Sequence, residues 1–590
     1  MDSPLKIGVF LCTCGHMMND YFDTRLLLDS AARVPGVTCV DENRFLCTRS
    51  GLEWLKIKIA QSGCNRIVIA GCSPHQHEFK FMQALEEAGL NRSLLAIANI
   101  REGCAWVCSE KSECQPKAQR MIAAAIRRVA QARPVEKVQT RMNPSALVIG
   151  AGSTGVRMAL ELHRLGIQPV LIDRNSQAGQ VDTSLLSPCT GGACTETLDQ
   201  RQQLASGLKE LGDKKIGILT STEVRDVAGG PGAFQVTLDM QGQDKVLEVG
   251  SIVVSTGLQS RDGQGLAGVG SSNRIVGLTR LRDMAAGERK TLERIMMSPD
   301  KRTKYVCFIL GASQGGGSRG AFAKRATVMA LNEAIALKKQ FKAEVMVAAG
   351  DIMVCGTELE SLYRLARESG VLFFRFTEST RPEVSLEKGI ITVKLYDPAL
   401  AGTGNGNGNG EGGGGRPISV LADLLILEDE VLPAEGTQNL QSVLRINLND
   451  RGFYREGFFQ GGNIHLAPNL SNRKGIFVAG ACHGKEETSE ILSDIRSVAM
   501  AVCSLVSQAN AGVERKVVIN TEKCALCLTC IRTCPHRAIE VGEVEAGQKW
   551  GAKVMPEACQ GCGICAGECP AKAIEMVQYS DAQIFSELIF

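Results

Sequence analysis

Ala146-Leu147-Val148-Ile149-Gly150-Ala151-Gly152-Ser153-Thr154-Gly155 is an apolar run that breaks into G-x-G-x-x-G. The apolar residues predict a buried strand, and the stretch from Val156 to about Leu165 predicts the helix that follows. The glycines permit a tight turn and a close approach of backbone to a pyrophosphate, and the helix N-terminus favours its negative charge. Pro169-Val170-Leu171-Ile172 predicts the next strand and ends in Asp173. That places a carboxylate about 20 residues on, where it can accept from a ribose hydroxyl. A lone glycine pattern is weak; strand, loop, helix and acid in this order predict a dinucleotide site in a Rossmann-type α/β unit. The plainer alternative is a tight βα turn in a Rossmann unit that holds nothing.

Two later stretches favour FAD over NAD. Gly250-Ser251-Ile252-Val253-Val254-Ser255-Thr256-Gly257 is an apolar strand ending in Thr-Gly. Lys474-Gly475-Ile476-Phe477-Val478-Ala479-Gly480 is another, and it feeds a helix from about Glu487 to Val506. Two-domain flavoproteins of the disulfide-reductase type have both features, with the second segment returning to finish the FAD site. The positions set against FAD are Gly150, Gly152, Ser153, Thr154, Gly155, Asp173, Arg174, Gly179, Thr256, Gly257, Gly480 and Ala481. Lys485, just ahead of the returning helix, is either a flavin-side group or a solvated lysine. Between the two stretches, Tyr305-Val306-Cys307-Phe308-Ile309-Leu310-Gly311 opens a second strand–glycine-loop–helix unit, where such flavoproteins carry an NAD(P)H domain. Its glycine spacing departs from G-x-G-x-x-G and no acid closes the next strand, so it is expected to be Rossmann-like and degenerate. Cys189 and Cys194 form C-x4-C, a redox disulfide beside the flavin, two unpaired thiols, or part of another site. Gly402 to Gly415 is a low-complexity loop with no assigned function. It is expected to interrupt a hairpin between Ile391–Leu395 and Ala422–Ile426.

The C-terminal tail carries the other strong signal. Cys524, Cys527, Cys530 and Cys534 precede Pro535, and Cys559, Cys562, Cys565 and Cys569 precede Pro570. Each run is C-x2-C-x2-C-x3-C-P, the spacing of a two-cluster ferredoxin, in which the fourth cysteine of each run serves the other cluster. Cys524, Cys527, Cys530 and Cys569 are expected to hold one [4Fe–4S] cluster, and Cys559, Cys562, Cys565 and Cys534 the second. A zinc ribbon or disulfides would not explain the doubled spacing and paired prolines.

The chain has 590 residues, 44% hydrophobic and 22% charged, as in an ordinary soluble globular protein. A net charge of +3 gives no argument for nucleic acid. No apolar run approaches the ~18 residues of a membrane helix, and the N-terminus lacks the pattern of a signal peptide. The 23 cysteines point to a reducing compartment with metal clusters. The expected location is cytoplasmic, either free or in a membrane-associated complex through partners. The expected divisions are 1–116, a small cysteine-containing α/β domain; 117–145, a linker helix; 146–270 and 431–512, the two parts of the FAD domain; 271–430, the degenerate NAD(P)H-type domain; and 513–590, the ferredoxin domain. In the first domain Cys12, Cys14, Cys47, Cys72 and Cys104 fall at or just after strand ends, where open α/β sheets put their sites. They are candidates for a third cluster, against the alternative of small buried residues.

The whole chain resembles the FAD- and iron–sulfur-containing A-type subunits of heterodisulfide reductase and their relatives in sulfate reducers and other anaerobes. The resemblance is carried by Cys12-Thr13-Cys14-Gly15, Ala70-Gly71-Cys72-Ser73-Pro74, Asn99-Ile100-Arg101-Glu102-Gly103-Cys104-Ala105-Trp106-Val107, the fingerprint at Gly150, Gly475 to Gly480, and the tail with its close Tyr579 to Phe585. Lys485 matches a family lysine in the loop after Ala-Gly. The family's second ferredoxin, inserted in the FAD domain, is missing here, as is its middle-domain cysteine cluster. The resemblance implies an oxidoreductase component that converts between two-electron flavin and one-electron cluster chemistry, with flavin-based bifurcation or confurcation as its fullest form. The implied partners are heterodisulfide-reductase B/C-like subunits, a hydrogenase or formate-dehydrogenase module, quinone-linked subunits, or ferredoxin, with a homodimer inside the complex. The competing readings are a stand-alone NAD(P)H-dependent dithiol oxidoreductase and a cluster-bearing scaffold without flavin.

Overall fold

The computed structural model describes residues 4–139, 142–179, 196–261, 272–286, 288–297, 302–311, 323–355, 357–396, 418–455, 469–485, 487–507, 512–545 and 549–588. Cys189, Cys194, the glycine-rich stretch at 402–415 and the loop after Gly311 lie outside these residues. The chain divides into two units, Met1–Thr140 with Ala509–Phe590, and Arg141–Gln508.

In the second unit the fingerprint strand, Ser145–Ile149, is the centre of a five-stranded parallel sheet. Its order is Ile476–Val478, Ser251–Val254, Ser145–Ile149, Gln168–Ile172, Ile218–Leu219. Parallel strands are covered on both faces, which is why these runs are apolar without alternation. One face packs on the helices Ser153–Arg164 and Thr488–Ser507 through Val156, Leu160, Ile495 and Val502. The other packs on a three-stranded antiparallel sheet through Phe234, Val236 and Leu238. A second parallel sheet repeats the plan in the order Ile275–Gly277, Leu424–Leu427, Tyr305–Leu310, Glu344–Ala349, Leu372–Arg375. Its antiparallel layer is Glu383–Glu387, Ile390–Leu395 and Ile418–Ala422. The expected hairpin is thus displaced. The partner of Ile390–Leu395 is Ile418–Ala422, while Leu424–Leu427 leaves to join the parallel sheet. The chain turns at Asp423, whose buried carboxylate accepts from Tyr305 N–H at 3.0 Å and from Arg302 Nη1 at 3.1 Å.

In the first unit a four-stranded parallel sheet runs Val37–Asn43, Ile7–Cys12, Arg66–Gly71, Leu95–Asn99. The helix expected as a linker begins earlier, at Lys111, and runs to Ala130. It belongs to this domain: Cys114, Ala118, Ile122, Ile126 and Val129 are buried in its core with Val9, Leu11 and Val68. Pro116 removes one helical hydrogen bond without ending the helix, since burial of that apolar stripe offsets the loss. The same helix meets the C-terminal helix Asp581–Glu587: Arg127 Nε donates to Ser586 O at 2.9 Å and Arg128 pairs with Glu587 at 3.0 Å. The cysteine-rich tail forms its own small core around two short helices, Thr529–Thr533 and Ile564–Glu568.

Candidate functional site

The fingerprint loop is built by steric necessity. Gly150 sits at φ +105°, and a Cβ there would meet Ser255 O at 2.6 Å. A Cβ on Gly155 would lie 1.8 Å from Gly150 O, so only hydrogen lets the helix start this close to the strand. Asp173 braces the loop: Oδ2 accepts from Ala151 N–H at 2.6 Å and Oδ1 from Asn175 N–H at 2.8 Å. Arg174 donates to Glu435 O at 2.8 Å and pairs with its carboxylate at 2.9 Å.

These groups open on a cavity of about 500 Å³. Of the expected residues, Gly150, Gly152, Ser153, Thr154, Asp173, Arg174, Thr256, Gly257 and Ala481 line it. Gly155, Gly179 and Gly480 shape it from behind; Gly179 N–H donates to Ala151 O at 2.9 Å. Gly480 is held by Asp494, which takes its N–H at 2.6 Å and lies 2.7 Å from His483 Nε2, with Asn469 as a further donor. The Lys485 side chain is not among the lining groups, and its N–H reaches Gly480 O at 3.4 Å. Burial pushes the neighbouring Cys482 thiol up to about 12.

One wall was not legible in the sequence. Ala434, Gly436, Thr437 and Leu440, together with Tyr454, come from the returning segment, which has no glycine motif or period to mark it. Tyr454 is buried, and its hydroxyl and that of Thr256 have no well-formed protein hydrogen bond, although the two face one another and Thr437. Buried polar groups are normally paired. A cavity of this size with a glycine-rich end, a braced acid and two hydroxyls without a well-formed protein hydrogen bond fits a bound dinucleotide such as FAD.

In the tail, one hollow is lined by Cys524, Cys527, Cys530 and Cys569, and a second by Cys534, Cys559, Cys562 and Cys565. The fourth cysteine of each run crosses to the other set, as the spacing predicts. The two halves repeat each other in the backbone. Leu526 and Leu528 adopt φ +51° and +63°, and Gly561 and Gly563 take the same places at +73° and +81°. Ala538 N–H donates to Cys534 Sγ and Ala573 N–H to Cys569 Sγ, each at 3.3 Å. Such bonds to sulfur tune a bound cluster. Cys527 is exposed, and the Thr529 hydroxyl and N–H beside it hold its thiol below the ordinary range.

The N-terminal cysteines fall into two groups. Cys12 lies within electrostatic reach of Cys14, Cys47 and Cys72, and Cys72 also of Cys47, with Cys12 and Cys72 at the C-terminal ends of the two central strands. Burial pushes Cys72 up to about 11, and Arg101 donates to Cys14 Sγ at 2.9 Å while pairing with Glu102 at 2.6 Å. Cys104 does not join them: it lies with Cys108 and Cys114, its Sγ 3.9 Å from that of Cys108. Across the turn Arg101–Ala105 the Arg101 and Cys104 side chains meet different neighbours, Cys14 and Cys108.

Residues 516–579 match the family model described as a 4Fe-4S dicluster domain. A protein of Archaeoglobus profundus that is like the A-type subunits of heterodisulfide reductase is 24% identical, over 90% of this chain and 91% of its own. The A-type iron-sulfur subunit of CoB–CoM heterodisulfide reductase from Methanocaldococcus jannaschii is 25% identical, over 90% and 91%. The A-type subunit of the H2/formate:CoB–CoM heterodisulfide,ferredoxin reductase from Methanococcus maripaludis is 25% identical over 92% of both chains. Among solved structures, thioredoxin reductase of T. acidophilum is 12% identical and covers 62% of this chain and 99% of its own at a TM-score of 0.39. Similarity spread over nine-tenths of this chain, far beyond the cysteine-rich tail, relates it to the A-type heterodisulfide reductase subunits along nearly its whole length.

Proposed function

We propose that the chain is an FAD- and iron–sulfur-dependent electron-transfer subunit of a heterodisulfide-reductase-like complex. The observation that carries the reading is the pair of hollows in the tail, each lined by four cysteines drawn from both runs. A bound flavin exchanges an electron pair and bound clusters carry single electrons, so together they interconvert the two. The chain's own residues hold and tune. Thiolates of the tail ligate, Ala538 and Ala573 N–H groups stabilise negative charge on Cys534 and Cys569, and the glycine loop with Asp173 seats the dinucleotide.

The four-cysteine group Cys12, Cys14, Cys47 and Cys72 is the place for a third cluster, with Arg101 offsetting thiolate charge at Cys14. A second one-electron site at a distance in sequence from the tail is what bifurcation or confurcation requires, because the two electrons must leave by separate routes. The names of the relatives support partners of three kinds: heterodisulfide-reductase subunits, an H2- or formate-oxidising module, and ferredoxin. The second Rossmann-type sheet is a poor nicotinamide site. Gly311 N–H, at the start of its glycine loop, is taken by the Glu428 carboxylate, which repels a pyrophosphate. The protein is cytoplasmic in this reading; no helix among the described residues is long and apolar enough to cross a membrane.

Anaerobic purification followed by iron, sulfide and flavin counts tests the reading. About eight irons and one FAD per chain are expected from the tail and the cavity, and about twelve irons with the N-terminal group loaded. Four irons, or fully loaded protein without flavin, would overturn it.

A further inference from the structure

Cys104, Cys108 and Cys114 form a thiol group that electron transfer through FAD and the clusters does not use. Cys108 N–H donates to Cys104 O at 3.0 Å, so the two side chains leave the same face one helical turn apart. Their sulfurs are 3.9 Å apart. Cys104 Sγ also donates to Cys114 O at 3.4 Å, and Cys114 Sγ to Glu110 O at 3.7 Å. Cys104 and Cys114 are buried. Cys108 is half-buried and follows Trp106 and Val107, both more than half exposed. The group is therefore open to solvent at one sulfur and closed at the other two. Burial and the adjoining Cys108 sulfur push the Cys104 thiol up to about 12, which leaves Cys108 as the sulfur that meets a reagent first.

We propose that Cys104 and Cys108 are a reversible dithiol–disulfide centre that exchanges with a low-molecular-weight disulfide. The Cys108 thiolate attacks one sulfur of the disulfide RSSR, the S–S bond breaks and one thiolate leaves. Cys104 then attacks Cys108 Sγ and gives its proton to the second thiolate, which is expelled as the protein disulfide forms. Two cysteine thiols are oxidised and RSSR is reduced to two RSH, which take up the two protons the cysteines released. A helical separation of four residues satisfies the Cα spacing a disulfide needs, about 4.4–6.8 Å.

The chain itself supplies a clean assay. Trypsin cuts after Arg101, Lys111 and Lys117, so Cys104 and Cys108 share peptide 102–111 while Cys114 falls in 112–117. The full, anaerobically purified chain is treated with glutathione disulfide, blocked with N-ethylmaleimide and digested. Peptide 102–111 is expected to lose both maleimide adducts and appear two hydrogens lighter, with 112–117 still alkylated, and dithiothreitol should restore both adducts. Cys104→Ser, with Cys104→Ala in case the serine unfolds the turn, should trap glutathione on Cys108, and Cys108→Ser should take up none. A cross-link between the two peptides, two free thiols in 102–111 after treatment, or loss of about four irons in a Cys104→Ala/Cys108→Ala chain would overturn the proposal.

Discussion

Replacing Gly155 by alanine should empty the dinucleotide cavity and leave the clusters in place. The added Cβ would stand 1.8 Å from Gly150 O, 2.9 Å from Ser255 Oγ and 3.0 Å from Gly150 C. Ordinary contact between such atoms begins near ~3.5 Å, so the helix must back away by roughly 1.7 Å. The nearest obstacle is backbone, which cannot rotate aside. Forcing atoms into a packed site costs about 1–3 kcal/mol, and about 1.4 kcal/mol is tenfold in affinity. FAD affinity should therefore fall by about ten- to a hundredfold. The sign is informative, because alanine for glycine within a helix ordinarily stabilises by about 0.5–1 kcal/mol. Gly212 is the internal control: it is helical and exposed, and a Cβ there meets nothing within 4 Å. Gly212→Ala should keep its flavin and its melting temperature or gain slightly. The assay is the flavin-to-iron ratio of anaerobically purified protein, with FAD titrated back by fluorescence quenching. A Gly155→Ala chain with full flavin and unchanged affinity would refute the steric reading of the loop.

Tyr454→Phe removes a buried hydroxyl with no well-formed protein partner; the flavin-free protein should gain about 1 kcal/mol in denaturant unfolding while FAD affinity falls severalfold. Cys534→Ser should remove the cluster held with Cys559, Cys562 and Cys565 and spare the one lined by Cys524, so iron drops by about four of eight and one reduced-cluster EPR signal persists. Glu333, buried on the helix Ala323–Phe341, has its carboxyl pushed up to about 7 by desolvation, against 4.5 in the unfolded chain. The folded state thus binds the extra proton between these values, and stability is lost as pH rises through 7. The loss between pH 5 and 8 should be up to about 3 kcal/mol, and Glu333→Gln should flatten the profile in pH-dependent urea melts.

The parts of this molecule that a sequence reveals are those whose chemistry fixes local spacing. The fingerprint at Gly150 works through contacts five residues apart, and the tail cysteines wrap their hollows within short turns, so both sites carry a local signature. The Tyr454 wall does not, because it is assembled by a segment that returns from far along the chain. Cys104 reads as a fifth member of the N-terminal group because it also follows a strand. Only the turn Arg101–Ala105, which faces Arg101 toward Cys14 and Cys104 toward Cys108, separates the two. The hairpin departs from expectation for a related reason. Ala422 and Leu424 read as one apolar strand, but the ion pairs and backbone bonds of Asp423 split it between two sheets. Local propensity would end the domain at Pro116, yet tertiary burial carries the helix through that proline from Lys111 to Ala130.

The central claim is that single electrons reach or leave the flavin through the tail clusters. Its most direct test is the rate at which a one-electron acceptor, oxidised ferredoxin, reoxidises the reduced flavin in the intact chain and in a Cys524→Ser/Cys559→Ser chain that retains FAD. If the clusters are the route, reoxidation slows by at least a hundredfold in the variant. An unchanged rate, with flavin present and tail iron gone, would contradict the account.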